Sequence, residues 1–157
     1  MEKKFFPMFL NLEHKRFLVI GAGNIAVRRI KTLLRYGADI RIIAEQYSEE
    51  AQVLIQNEES ILSAEQRPYK RGDILEDFDF VLTATNDSNV DMAVCLEARH
   101  KEIPVNVASR HELCDYYFPA LVEREHLTIG MTSDGWNHSY LKKTAEYLRE
   151  HLPEADE

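Results

Sequence analysis

The residues best suited to chemistry lie early in the chain, in the run Gly21-Ala22-Gly23-Asn24-Ile25-Ala26. This is a G-x-G-x-x-A spacing. A first glycine permits a tight turn out of a strand, and a second lets backbone come close to a pyrophosphate. The small third residue keeps the following helix against its sheet, so that the free N–H groups of the helix terminus meet the phosphates. An unliganded tight turn could use the same residues, but here the flanking elements also fit. Phe17-Leu18-Val19-Ile20 reads as a buried strand before the loop, and Asn24 to Tyr36 as a helix after it, closed by Gly37. Gly21, Gly23, Asn24 and Ile25 are therefore expected to hold a dinucleotide.

The elements that would position this loop alternate along the chain. Ile40 to Ala44 reads as a second strand and Ser48 to Asn57 as a helix capped by Ser48. Arg67 to Lys70 reads as a short edge strand and Phe78 to Ala84 as a buried one. A helix from Asp87 or Ser88 to about Lys101 precedes a further strand over Ile103 to Ala108, where Pro104 fits a strand end or an edge better than a centre. Such alternation predicts an α/β fold of Rossmann type, a parallel sheet with helices on both faces. After Ser109 the pattern changes to a strand over Leu127 to Thr132 and a helix over Asn137 to Leu152. The expected organisation is a nucleotide-binding domain over 1–110 and a dimerisation or substrate-site segment over 111–157.

Two further groups lie where open α/β sheets place ligands, beyond the carboxyl ends of strands. Glu45 and Gln46 follow the second strand. A carboxylate there accepts from ribose hydroxyls and disfavours a 2′-phosphate, which favours NAD over NADP, although a solvated surface Glu explains the residue almost as well. Thr83, Thr85 and Asn86 lie at the carboxyl end of the fourth strand and are small enough to contact a dinucleotide without blocking it; an ordinary turn with a helix cap is the alternative for that stretch.

Net charge is −8, from 19 basic and 27 acidic residues, which argues against general nucleic-acid binding. No apolar run approaches the roughly 20 residues of a membrane span. Cys95 and Cys114 form no metal motif and read as free thiols, and the six histidines match no ligand spacing, so no metal site is expected. These features predict a cytoplasmic location. Trp136, after Asp134-Gly135, reads as a packing residue.

Taken together, the motifs resemble the precorrin-2 dehydrogenase family of siroheme synthesis, including the N-terminal module of siroheme synthases. The matching residues are Phe6 to Leu12, the glycine loop running into Ala26-Val27-Arg28-Arg29, Ala84-Thr85-Asn86-Asp87, Val105-Asn106-Val107, and Glu112 to Asp115 followed by Phe118-Pro119-Ala120. The resemblance implies oxidation of a tetrapyrrole, precorrin-2, to sirohydrochlorin with hydride passed to NAD. In some members it also implies Fe(II) insertion into the product. It implies a homodimer, and contacts to NAD at Asn24, Ile25, Glu45 and Gln46.

The chain departs from the family at two places. Members often carry a catalytic Asp where this chain has Ser109, followed by Arg110; a hydroxyl accepts a proton only with a base beside it. Ser109, His111 and Asp115 are the candidate catalytic residues. Members also carry a Ser-Pro pair before the final helix and a helical segment beyond it, whereas this chain reads His138-Ser139 and stops at Glu157. Arg110, His111, Lys142, Lys143, Arg28 and Arg29 are candidates for substrate carboxylates, though a solvated helix face accounts better for the two lysines. These departures keep a second class of function in view, a non-catalytic module that binds NAD or a tetrapyrrole. A regulatory dinucleotide domain of a transport protein is a weaker third, disfavoured by Phe6 to Leu12 and Cys114 to Ala120.

Overall fold

In the computed structural model, residues 6–58, 61–133 and 137–153 are described; Trp136 lies outside them. Five parallel strands form the main sheet: β1 (Arg16–Ile20), β2 (Asp39–Ala44), β3 (Leu62–Gln66), β4 (Phe80–Thr83) and β5 (Val105–Val107), in the order β3-β2-β1-β4-β5. The chain runs outward from β1 to β3, then returns to place β4 on the other side of β1. The strand order therefore reverses between β1 and β4.

The apolar runs read from sequence form the core. Phe17 to Ile20, Ile42, Ile43, Val81 and Leu82 are closed to solvent, and burial of each large side chain contributes about 1.5–3 kcal/mol. Phe17 stacks on Phe80 at 4.8 Å across β1 and β4, and Tyr116 meets Phe80 edge-on at 5.4 Å. Helix α1 (Asn24–Arg35) turns Ala26, Val27, Ile30 and Leu33 inward, a 3–4 spacing that matches one helical face. It packs with α2 (Glu49–Asn57), while α3 (Ser88–His100) packs on β4 and β5. Right-handed crossovers on either side of the reversal put α1 and α2 on one face and α3 on the other.

The third strand is where the structure differs from expectation. β3 occupies Leu62–Gln66 rather than Arg67–Lys70. Arg67 still donates its N–H to the Ala44 carbonyl at 2.9 Å, and then Pro68, with no N–H to give, ends the ladder. Residues 67–79 form no helix. They are tied to α3 by Glu97, whose carboxylate accepts from the Tyr69 hydroxyl at 2.6 Å and from the Gly72 and Ile74 amides, and Ile74 is completely buried.

The sheet and its helices form one compact unit, Leu10–Tyr116. The chain from Tyr117 onward forms a second unit with residues 6–9. There β6 (Ala120–Arg124), which sequence reading missed, makes an antiparallel hairpin with β7 (Leu127–Met131), and α4 (His138–His151) packs on β6.

Candidate functional site: a dinucleotide crevice at the strand reversal

β1 delivers Gly21 to the reversal point at φ +104°, a region that side chains other than glycine rarely adopt. A Cβ there would also lie 2.4 Å from the carbonyl oxygen of Ala84, the residue leaving β4. Two loops thus meet backbone to backbone, and only glycine fits. Gly21 N–H donates to the Ile43 carbonyl, and Ser48 N–H to that of Ala22, so the loop is held by the end of β2 and the N-cap of α2.

Gly23 is different. Its backbone is extended, and a Cβ built on it meets nothing within 4 Å. No packing demands glycine here; what glycine leaves is clear space over the start of α1. Gly23 is also the N-cap of α1 and offers no side-chain acceptor, and the first turn of α1 carries no acid. The other three α-helices are all capped by a side chain. Ser48 Oγ accepts from Ala51 N–H, Asp87 Oδ1 from Asn89 N–H, and Asn137 Oδ1 from Tyr140 N–H. α1 alone among the described α-helices presents its first amides without one. The partial positive charge of that terminus faces open space beside Gly23, a setting that suits an anion in charge.

Asn24 and Ile25 stand on this first turn with exposed side chains, Ile25 at 50%. With Arg28, Lys31 and Glu50 they line a shallow concavity of ≈ 510 Å³ on the outer side of α1, in which Lys31 pairs with Glu50. Glu45 and Gln46 are exposed just past β2. Asn86 is exposed past β4, whereas Thr83 is fully buried with its hydroxyl turned inward.

That inward turn leads to a residue sequence reading passed over. Asp91, on the first turn of α3, is 2% exposed. Its Oδ1 accepts from the Thr83 hydroxyl at 2.5 Å and the Thr85 amide at 3.3 Å, and the Thr85 hydroxyl lies 2.8 Å away. Its Oδ2 accepts from the Ser109 hydroxyl at 2.7 Å. One buried carboxylate thus joins the ends of β4 and β5. A pair of threonines at i and i+2, on one face of a strand end, was the available signal that a buried acceptor lay opposite.

Ser109 itself is exposed beyond the carboxyl end of β5. Asp115 is not brought to it. Asp115 Oδ2 accepts from Val105 N–H, at the amino end of the same strand, and its other oxygen lies 3.7 Å from Arg99. His111 is exposed on a short 3-10 turn, His111–Leu113. Cys114 is buried, its Sγ bonded to the Val107 backbone, and burial pushes the thiol up from its ordinary value. Arg29 donates to Asn106 Oδ1 at 2.6 Å, and Asn106 in turn donates to the Tyr116 carbonyl. Burial pulls the Arg29 guanidinium down, against the opposing influence of Cys114 and Tyr116. Among the described residues no three His, Cys, Asp or Glu side chains converge on a metal position.

The glycine loop, the bare terminus of α1 and the strand reversal define an NAD(P)-binding protein of Rossmann type. Residues 8–120 match a family model described as putative NAD(P)-binding. The chain is 31% identical over 140 residues to the precorrin-2 dehydrogenase of Bacillus subtilis, covering 89% of this chain and 84% of that one. It is 39% identical over 145 residues to a probable multifunctional siroheme biosynthesis protein, HemA, of Ruminiclostridium josui, covering 92% of this chain. The solved structure of SirC, a precorrin-2 dehydrogenase, matches with a TM-score of 0.78 and 28% identity, over 96% of this chain and 72% of that one. The chain belongs to the precorrin-2 dehydrogenase family. It spans 28% of the length of the multifunctional relative from Ruminiclostridium josui and 31% of the siroheme synthase of Nitrosomonas europaea.

Proposed function

We propose that this chain oxidises precorrin-2 to sirohydrochlorin with NAD as hydride acceptor. The observation that carries the reading is the uncapped, acid-free start of α1 behind Gly23, placed at the strand reversal of a chain that belongs to this family. A bound NAD would supply the electron sink. The chain's own part is to hold and orient. Gly21 and Gly23 shape the diphosphate seat and the first amides of α1 bind it. Thr85, Asn86 and Ser109, at the ends of β4 and β5, stand on the same edge of the sheet. Purified protein given precorrin-2 and NAD without oxygen should develop the absorbance of sirohydrochlorin and NADH together. Folded protein that binds both ligands without turnover would instead make it a binding module. Adding Fe(II) to the same reaction reads iron insertion.

Glu45 supports NAD over NADP, because a carboxylate at the end of β2 accepts from ribose hydroxyls and repels a 2′-phosphate. Calorimetric titration should give tighter binding of NAD, and equal affinities would remove Glu45 from the account.

The second unit supports a homodimer. Its only buried apolar side chains among the described residues are Val122 and Ala145, while Leu127, Tyr140 and Tyr147 are 47%, 66% and 60% exposed. A lone hairpin and helix with so small a core is marginal by itself, and a second copy would complete it. Sedimentation should show a dimer that Tyr140→Asp weakens; a monomer at all concentrations would contradict this. Two buried thiols, Cys95 and Cys114, fit the reducing cytoplasm we infer as its location.

A further inference from the structure

We propose that Asp91 supplies, through the hydroxyl of Ser109, the carboxylate that takes the proton released in the oxidation. The inference rests on the reaction proposed above and adds a residue to it. Loss of two hydrogens from the substrate divides into a hydride and a proton. One C–H bond breaks with its electron pair, which leaves with the hydride to the nicotinamide. The second hydrogen leaves as a proton, and its bonding electrons stay on the macrocycle. That proton needs an acceptor at the crevice, and the exposed group at the end of β5 is a hydroxyl, a poor base alone.

The geometry supplies what the hydroxyl lacks. Ser109 is exposed, but its proton points inward to Asp91 Oδ2 at 2.7 Å, an ordinary length for a hydroxyl hydrogen bond. With that proton committed, the lone pairs of Ser109 Oγ are left to face outward as acceptors. When Oγ forms its new O–H bond, the hydroxyl's original proton passes to Asp91 Oδ2, and water receives it after product leaves. The two carboxylate oxygens are unequal. Thr83, the Thr85 amide and the Thr85 hydroxyl serve Oδ1, while Ser109 is the donor found on Oδ2. The Thr85 hydroxyl also lies 2.9 Å from the Asp87 carbonyl, so it can turn away as the carboxylate is neutralised. Oδ1 thus fixes the group in place and Oδ2 is the oxygen that can gain a proton. Asp91 acts as a positioning residue behind Ser109, and Ser109 is the group that meets substrate.

The test compares three variants with the wild type: Asp91→Asn, Ser109→Ala, and Asp91→Asn combined with Ser109→Asp. The first two should lower kcat by about 100-fold. KM for precorrin-2 and the calorimetric Kd for NAD should stay unchanged in both. The double variant moves the carboxylate to the outer end of the same hydrogen bond and should regain about ten-fold over Asp91→Asn. Unchanged kcat in folded Asp91→Asn, no recovery in the double variant, or a loss confined to NAD binding would each overturn the relay. If Asp91→Asn fails to fold, exposed Ser109→Ala decides alone, and wild-type kcat there overturns the proposal. A wild type that binds both ligands but never turns over removes the dehydrogenase reading and this inference together, which separates the two kinds of failure.

Discussion

Helices α1 and α3 begin beyond the carboxyl ends of neighbouring strands, β1 and β4, yet their first turns are built in opposite ways. α1 starts at a glycine with open space above it, no capping side chain and no acid. α3 starts at Asp87, which caps it, and carries Asp91 one turn in. At the start of α3 a side chain of the chain itself caps the Asn89 amide, and the second carboxylate there is spent on Thr83, Thr85 and Ser109. The terminus of α1 is left for something the chain does not contain. On the proposed reading, an anion would favour the helix start that carries no acid over the one that already carries two, Asp87 and Asp91.

Substitutions can break this contrast, and the largest effect is expected at Gly21. Gly21→Ala adds a Cβ against the Ala84 carbonyl at a backbone angle that disfavours it. Stability should fall by about 3 kcal/mol or more in urea melts, because a main-chain carbonyl cannot swing aside. Gly23→Asp makes α1 resemble α3. The cap should stabilise the fold by a few tenths of a kcal/mol. It should also weaken NAD binding about 100-fold, or about 2.7 kcal/mol, by placing a negative charge where the diphosphate belongs. Calorimetry and a melt on the same sample check both. The converse substitution, Asp87→Ala, empties the start of α3 and should cost about 1 kcal/mol. NAD affinity should not move.

The smallest effect belongs to the opposite edge of the sheet, where Asp79 pairs with Lys15 at 2.8 Å and accepts from Arg16 N–H at 2.9 Å. The Lys15 hydrogen bond, joined by that of Arg16, holds its carboxyl below the ordinary range against a smaller effect of burial. A carboxyl lowered in the folded state adds stability above its unfolded value, near pH 4, and loses it as pH falls through the folded value. Asp79→Asn should therefore cost under about 1 kcal/mol at pH 7, since solvent screens the pair. The gap from wild type should close in melts at successively lower pH. NAD binding should be untouched.

The stretch from β1 to β2 was legible because each boundary carries its own chemistry. A buried apolar run, a G-x-G turn, a periodic helix and Gly37 fix elements almost to the residue. β3 was misplaced because Ser63, Ala64, Glu65 and Gln66 have little strand character and only Leu62 is buried. Pairing with β2 decides it, and that is not local information. β6 was missed for a similar reason: Leu121 and Val122 sit beside Glu123 and Arg124, and only Val122 is buried. The glycine loop could be read because sequence neighbours build it. Asp91 could not, since in sequence it is one more acid in a helix's first turn, ordinary for its dipole. Its meaning comes from Thr83, Thr85 and Ser109, which arrive from two other elements.

The central claim is that the bare amides opening α1 bind the diphosphate of the coenzyme. Backbone amide shifts followed by NMR during NAD titration test it most directly. The account predicts saturable movement, largest at Gly23, Asn24, Ile25 and Ala26, with the Asn89 amide capped by Asp87 at the start of α3 moving far less. Saturable binding that leaves those four amides in place would contradict it.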